Sequence, residues 1–462
     1  MPTKGMFVRF PEALTITGLS KLSRYGEVRL SGRGREYQFT NQMLPETAGY
    51  AAHREKVASW SVLLDDGLSV QNATPVRFLI PDPLQSPGQF IRVGDIVENL
   101  VGNIRFSRSS EQSGDENYRL LTQSRLAYIP ANGREQEPPE VGGDIKVASV
   151  NMLNFFTTLD TGQRICGPSG NGGCRGANSV EEFARHRAKL LSSLSVINAD
   201  IIGLIEIENN ARESLRSITD GLNDMAVGEQ WSYVDTGTIG TDSIRVGIIY
   251  NPTAVLPAGD FAALDGSVDA RFMDNKNRTV LLQTFVHASD NRRFSVAVAH
   301  LKSKGSSCSD IGDPDRSDGQ ANGAGTRTQA AASLVDWLAT DPTASGDPDF
   351  LIIGDPNAHL QEDAVRKIES GGYISLLASI VGKTAYSFQF QGQSGALDHA
   401  LSSPSLLPQV AGAAEWHINA DEASLLDYNL EFGREADLFD PSSPFRSSDH
   451  DPLVIGLSLT SN

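Results

Sequence analysis

Positive charge is what this sequence has too little of. Its 39 lysines and arginines face 57 aspartates and glutamates, so the 462-residue chain carries a formal charge of −18 and a sequence pI of about 4.9. That excludes a protein held to nucleic acid by a broad basic surface, since such binding replaces phosphate counterions with Lys and Arg. A polyanionic substrate would need a local basic strip or bridging cations. No apolar run approaches the roughly 20 residues of a membrane span, and the start, MPTKGMFVRF, has no apolar signal-peptide core. Cysteine is scarce, with three in all. Cys166 and Cys174 flank GPSGNGG, a loop short enough for a disulfide to close. That reading is favoured over zinc, which needs further ligands close by. A disulfide in turn favours a secreted protein whose leader has been removed. Cys308 is left as a free thiol or half of a lost bridge.

What is present is turn-rich. Gly (43) and Pro (22) are plentiful and apolar residues make up 39%, which suits a globular, β-rich chain long enough for two domains. Residues 6 to 128 read as short strands, among them LTITGL, GEVRLSG, SWSVLLDDG and YRLLTQ, and predict a small β-barrel or sandwich over 1–130. ANGREQEPPEVGG, residues 131–143, reads as a linker. From 144 to 462 strands and helices alternate. IKVASVN, ADIIGLIEIENN, DSIRVGIIY, RRFSVAVAHLK and DFLIIGDPN are strands; TRTQAAASLVDWLAT is a helix. NSVEEFARHRAKLLSSLSVI is another, with Ser179 and Glu182 at capping-box spacing and Phe183, Leu190, Leu191, Leu194 and Ile197 on one face.

The strands stop at polar residues. Asn151, Glu206, His300, Asp355 and Asn357 lie at or just past strand ends, GALDHAL supplies Asp398, and SSDHDP supplies Asp449 and His450 just before the last apolar run. Each alone is an ordinary turn former or solvated residue. Together they would meet at one sheet edge. Carboxylate and amide oxygens suit Mg²⁺, Mn²⁺ or Ca²⁺ rather than zinc, and imidazoles beside such an ion suit acid and base work on a phosphate ester.

In order, SVNMLNF, DIIGLIEIEN, VAHLKSKG, IIGDPNA, ALDHAL and SSDHDP resemble the motif series of the endonuclease/exonuclease/phosphatase superfamily, which includes DNase I-like nucleases. CRGANSVEEFARHRAKL and HLKSKGSSC resemble secreted bacterial nucleases of the ExeM/NucH type, and the first domain resembles the OB-fold-like module preceding their catalytic domain. The resemblance implies a four-layer α/β sandwich over 144–462. It makes Asn151, Glu206 and Asp449 metal-binding residues, for Mg²⁺ or Mn²⁺. Asp355 and Asn357 would orient the attacking water and hold the phosphate. His450 would be the base or phosphate-binding imidazole, Asp398 its orienting carboxylate, and His300 an acid or transition-state donor, with Asp242 orienting His300. Relatives commonly carry a second cysteine after KSKGSSC, and here it is missing.

Further candidates are less specific. Lys302, Lys304, Arg327 and Arg185 could contact phosphate, against a default of solvated or paired charges. Asp310, Asp313, Asp315 and Asp318 could hold a structural Ca²⁺, although acidic loops are more often only solvated. The expectation is a monomeric, divalent-metal-dependent DNase of little sequence preference, with DNA as its partner and no membrane. The alternatives are a phosphoesterase acting on phospholipid or inositol phosphate, and a catalytically dead binding protein.

Overall fold

The computed structural model describes residues 5–80, 89–108, 116–122, 126–225, 231–432 and 436–459. The expected N-terminal β region is an eight-stranded sheet running Phe7–Arg9, Val101–Arg108, Glu116–Leu121, Ser61–Asp65, Glu27–Ser31, Leu14–Gly18, Ile96–Glu98 and Ala127–Ile129. Its core of Ile16, Val28, Leu30, Leu64 and Val97 is closed by Ala423 and Leu425 from the far end of the chain. Besides the single-turn helices Leu22–Tyr25 and Phe39–Gln42, one long element departs from the all-β expectation. Residues Thr47–Trp60 form a helix, capped by the Glu46 carboxylate accepting from the amides of Ala48 and Gly49. Only Val57 of it is buried, so it has no apolar stripe to announce it.

The predicted linker is pinned rather than free. Asn132 donates to Asp421, Arg134 forks onto both oxygens of Glu422 at 2.9 and 2.8 Å, and Trp416 donates to the Glu135 carbonyl. Arg35 from the first domain likewise forks onto Asp421 at 2.7 and 2.9 Å.

Beyond it lie two packed sheets. The first runs Ser232–Tyr233, Ile244–Tyr250, Ile201–Glu208, Ile145–Phe155, Leu453–Leu457 and Val410–Glu415. The second runs Val255–Pro257, Arg278–His287, Arg293–His300, Phe350–Asp355, His399–Ser402 and Ile374–Ser375, with Ala262–Leu264 also on Arg278–His287. Three apolar cores separate four layers. Val147, Ile205, Val246, Val298 and Ile353 fill the space between the sheets. Leu190, Leu194, Leu215 and Ile218 bury helices Val180–Ile197 and Glu213–Met225 against the first sheet. Ala330, Leu334, Val365 and Ile368 do the same for helices Ala324–Leu338 and Asp363–Ser370 on the second. This is the α/β sandwich expected from the sequence, since strands buried on both faces must read as continuous apolar runs. The cap predicted for the Val180–Ile197 helix is present: Ser179 Oγ accepts from Glu182 N at 3.2 Å.

Candidate active site

In the first sheet the site begins with an irregularity. Ile201–Glu208 pairs parallel with Ile145–Phe155 and antiparallel with Ile244–Tyr250, and both registers slip just before Ile207. Glu206 sits there with φ of 64°, a bulge residue outside either ladder. Leu204 and Ile207 therefore both face the outer core while Ile205 faces the inter-sheet core. Glu206 Oε1 reaches to 4.0 Å from His300 Nε2 on the other sheet, and Oε2 accepts from Asn154 N at 3.2 Å. Asn151 Oδ1 accepts from Leu153 N at 2.8 Å. Its buried Nδ2 stands beside Glu206, whose carboxyl it helps to lower. Burial, then the nearby Asp449, raises the Glu206 carboxyl, with His450 and Arg278 opposing.

The second sheet brings His300 and Asp355 together by register, as parallel partners at the ends of their strands. His300 Nε2 lies 3.9 Å from Asp355 Oδ2. Asn357, with φ of 51°, turns back so that its amide N donates to Asp355 Oδ1 at 2.7 Å and its Nδ2 to Oδ2 at 3.1 Å. Burial and Asp398 push the Asp355 carboxyl up to about 8, with His450 opposing. Burial, then the positive fields of Arg278, His450 and Arg175, holds His300 well below the ordinary imidazole range, so it is neutral.

Asp398 and His450 form the third part. His450 Nδ1 and Ser387 Oγ both donate to Asp398 Oδ2 at 2.7 Å, and the Phe388 ring lies 4.6 Å from the imidazole. Burial alone would lower His450, but Asp398, Asp449 and Asp355 together hold it well above its usual value. With Nδ1 taken by Asp398, Nε2 is the nitrogen left for chemistry. Asp355, Asp398 and His450 offer ligand atoms within 4.8 Å of one another. Strand ends from both sheets thus gather the buried carboxylates of Asp355 and Asp398, the half-buried ones of Glu206 and Asp449, and two imidazoles of opposite tendency.

Residues 148–450 match the model of the Endonuclease/Exonuclease/phosphatase family. The chain belongs to that family. Members of the endonuclease/exonuclease/phosphatase family are phosphodiesterases and phosphatases, mostly metal-dependent. Solved structures similar to this chain include the human Nocturnin catalytic domain with bound sulfate (17% identity, 70% of this chain and 97% of that one, TM-score 0.42). A mannosyl-6-phosphatase from Bacteroides thetaiotaomicron is 15% identical over 68% of this chain and 100% of its own, with a TM-score of 0.42. The D. rerio TDP2 complexed with single-strand DNA product is 14% identical over 67% and 97%, with a TM-score of 0.40. Among curated proteins no match was found.

Not every candidate joins the family site. Asp242 does not orient His300: its oxygens pair with Arg278 Nε at 3.3 Å and Arg175 Nη2 at 3.4 Å. His300 Nδ1 has no partner among the described residues. Lys302 is turned inward, its ammonium donating to the Ser303 carbonyl and to both oxygens of Ser306. Arg327 is fully buried and donates to the carbonyls of Lys302, Asn322 and Gln320. These two cations are used to tie down residues 303–322, the loop that has no cysteine partner for the buried Cys308. Lys304 is committed to Glu362, and half-buried Arg185 donates to the Tyr428 carbonyl. The four loop acids do not converge on a Ca²⁺ site. Asp313 caps helix Ala324–Leu338 through Gly325 and Thr326, Asp310 pairs with Lys276, and Asp315 and Asp318 close local turns. Cys166 and Cys174 do form the expected disulfide. Ser387, Phe388 and Arg278 were not anticipated. Ser387 and Phe388 sit in SFQFQGQSG, which reads as a turn, and Arg278 opens a strand whose run TVLLQTFV could have been recognised.

Proposed function

We propose that this chain is a secreted, divalent-metal-dependent DNase that hydrolyses phosphodiester bonds with little sequence preference. The observation that carries it is the convergence of Glu206, Asp355, the Asp398–His450 pair and neutral His300 from strand ends of both sheets. The residues present fit a hard cation. Glu206 and Asp355 are both raised by burial among other carboxylates, a repulsion that a divalent ion relieves. Glu206, Asp449 and Asn151, the last through the Oδ1 that accepts from Leu153 N, would hold it. Such an ion, when bound, neutralises charge on the phosphoryl oxygens.

The protein's own groups supply the base and the orienting hydrogen bonds. In its unprotonated form His450 takes the proton of the attacking water on Nε2, and Asp398 stabilises the imidazolium that forms; part of the carboxylate field that raises His450 would be offset by a cation held beside Asp449. Asp355 and Asn357, locked to each other by two hydrogen bonds, orient the water and hold the phosphate. His300, whose Nε2 lies 3.9 Å from Asp355 Oδ2, is the group available to donate a hydrogen bond to the leaving oxygen, which takes its proton from solvent. The disulfide supports the secreted location, since such bonds persist in oxidising compartments. The N-terminal sheet is taken as an OB-fold-like module preceding a catalytic domain over 144–462. No helix among the described residues is long and apolar enough to cross a membrane.

Digestion of supercoiled plasmid with EDTA, Mg²⁺, Mn²⁺ or Ca²⁺, alongside Glu206→Ala, tests this reading. Cutting that needs an ion and disappears in the variant is expected. Intact plasmid under every ion would overturn the nuclease assignment and turn attention to sugar phosphates, inositol phosphates and phospholipids.

A further inference from the structure

The Phe388–Phe390 and Gln393–Gly395 hairpin touches the active site at one end and the N-terminal domain along its length. At its root, Ser387 Oγ donates to Asp398 Oδ2 at 2.7 Å, the Ser387 carbonyl accepts from Asp451 N at 2.8 Å, and Phe388 lies against His450. The hairpin is a sheet of its own, paired with neither sheet of the sandwich. Three residues a side is too short to be stable alone, so its position must come from whatever it rests on.

It rests on the first domain. Gln38 N donates to the Ser394 carbonyl at 2.9 Å and Ser394 N to the Glu36 carbonyl at 2.8 Å, a bridge that extends the hairpin by one chain. Gln38 Nε2 donates to the carbonyls of Phe390 and Gln393 at 2.9 and 3.3 Å. His53 Nε2 lies 2.7 Å from Gln393 Oε1, Gln389 donates to the Thr17 carbonyl, and Arg35 donates to Ser394 Oγ at 3.0 Å. Asn41, fully buried, ties both stems: its Oδ1 accepts from Ala396 N and its Nδ2 donates to the Ala385 carbonyl, each at 3.0 Å.

We infer that the N-terminal domain is a positioning element of the active site, setting Ser387, Asp398 and His450 through this hairpin, whatever contact it also makes with substrate. Gln38 is the positioning residue with the greatest leverage, since its backbone and side chain hold both strands. The inference rests on the proposed hydrolysis of phosphodiesters at this site.

The test uses the full chain and bis(p-nitrophenyl) phosphate, a diester too small to bridge from the active site to the first domain. Gln38→Ala is expected to lower kcat about tenfold with KM little changed, the penalty of a small misplacement of catalytic groups. Combined with Ser387→Ala, the loss should be well below the product of the two single losses, because both act through one arrangement. His53→Ala, which removes a single half-buried bond, should give a weaker loss of the same kind. Hydrogen exchange needs no substrate, and Gln38→Ala should quicken exchange over residues 385–399 while leaving 293–300 unchanged. Unchanged kcat, multiplicative losses or unchanged exchange would each overturn the inference. A wild-type protein that hydrolyses the small diester but leaves DNA intact would sink the nuclease reading alone.

Discussion

Replacing Asp398 with asparagine should cost this enzyme much less than the same change costs other histidine–aspartate pairs, because of Ser387. Its hydroxyl accepts from the amides of Leu397 and Asp398 at 3.1 and 3.0 Å. Both acceptor sites of the oxygen are then occupied, so its one proton must go to Asp398 Oδ2. His450 Nδ1 donates to that same oxygen. In Asp398→Asn the atom at this position must remain an acceptor, so the amide oxygen takes it, and His450 keeps its proton on Nδ1 and its lone pair on Nε2. What is lost is charge alone. Hydrogen bonds to charged groups contribute about 1.5–3 kcal/mol and neutral ones about 0.5–1.5. The imidazolium therefore loses about 1–2 kcal/mol of stabilisation, a roughly five- to thirtyfold fall in kcat. Steady-state hydrolysis of bis(p-nitrophenyl) phosphate with saturating Mg²⁺, with circular dichroism as a folding control, measures it. A loss on the order of 10⁴, the size seen when the serine-protease aspartate becomes asparagine and the histidine tautomer inverts, would refute the argument. So would no loss at all. Ser387→Ala in the Asp398→Asn background frees the amide to turn and should deepen the defect.

Other outcomes follow from the same geometry. Burial pulls His186, stacked on Tyr428 at 3.8 Å, down from 6.5 to about 3. The folded chain thus binds fewer protons than the unfolded one in that window, and stability present above about pH 6.5 is lost as pH falls toward 3. The slope is about 1.4 kcal/mol per pH unit, and His186→Gln should flatten a plot of Tm against pH there. Reducing the Cys166–Cys174 bridge, which spans a sequence separation of 8, should cost about 2–3 kcal/mol in urea unfolding. Arg327→Ala should destabilise the fold by about 3 kcal/mol or more by stranding the buried carbonyls of Lys302, Asn322 and Gln320 and leaving Lys304 as the one cation beside Glu362 among the described residues. A variant that unfolds normally but binds substrate weakly would instead restore Arg327 as a phosphate ligand.

The sandwich was legible because its strands are apolar on both faces and stop at polar residues, so Asn151, Glu206, His300, Asp355 and His450 announce themselves by position. Lys302 and Arg327 mislead for a physical reason: sequence shows a cation beside a site but not that its side chain turns back onto its own loop. The helix Thr47–Trp60 was hidden because it buries only Val57. Ser387 was hidden because its role depends on a hairpin held by residues more than three hundred positions away.

The irregularity at Glu206 bears on how such a site arises. Ile205 and Ile207 would share a face in an unbroken strand, yet they enter different cores: between Leu204 and Ile207 the strand holds one residue more than its neighbour Ile244–Tyr250. The acid is carried by that surplus position. Substitution within a regular ladder would only bury a carboxylate in a core. Deleting one residue here would draw Ile207 into register with Ile244–Tyr250 and remove the position that carries the acid, whatever amino acid stood beside it. In lineages of this fold, gain or loss of chemistry at this edge would then be recorded as a gap of one in an alignment rather than as a change of letter.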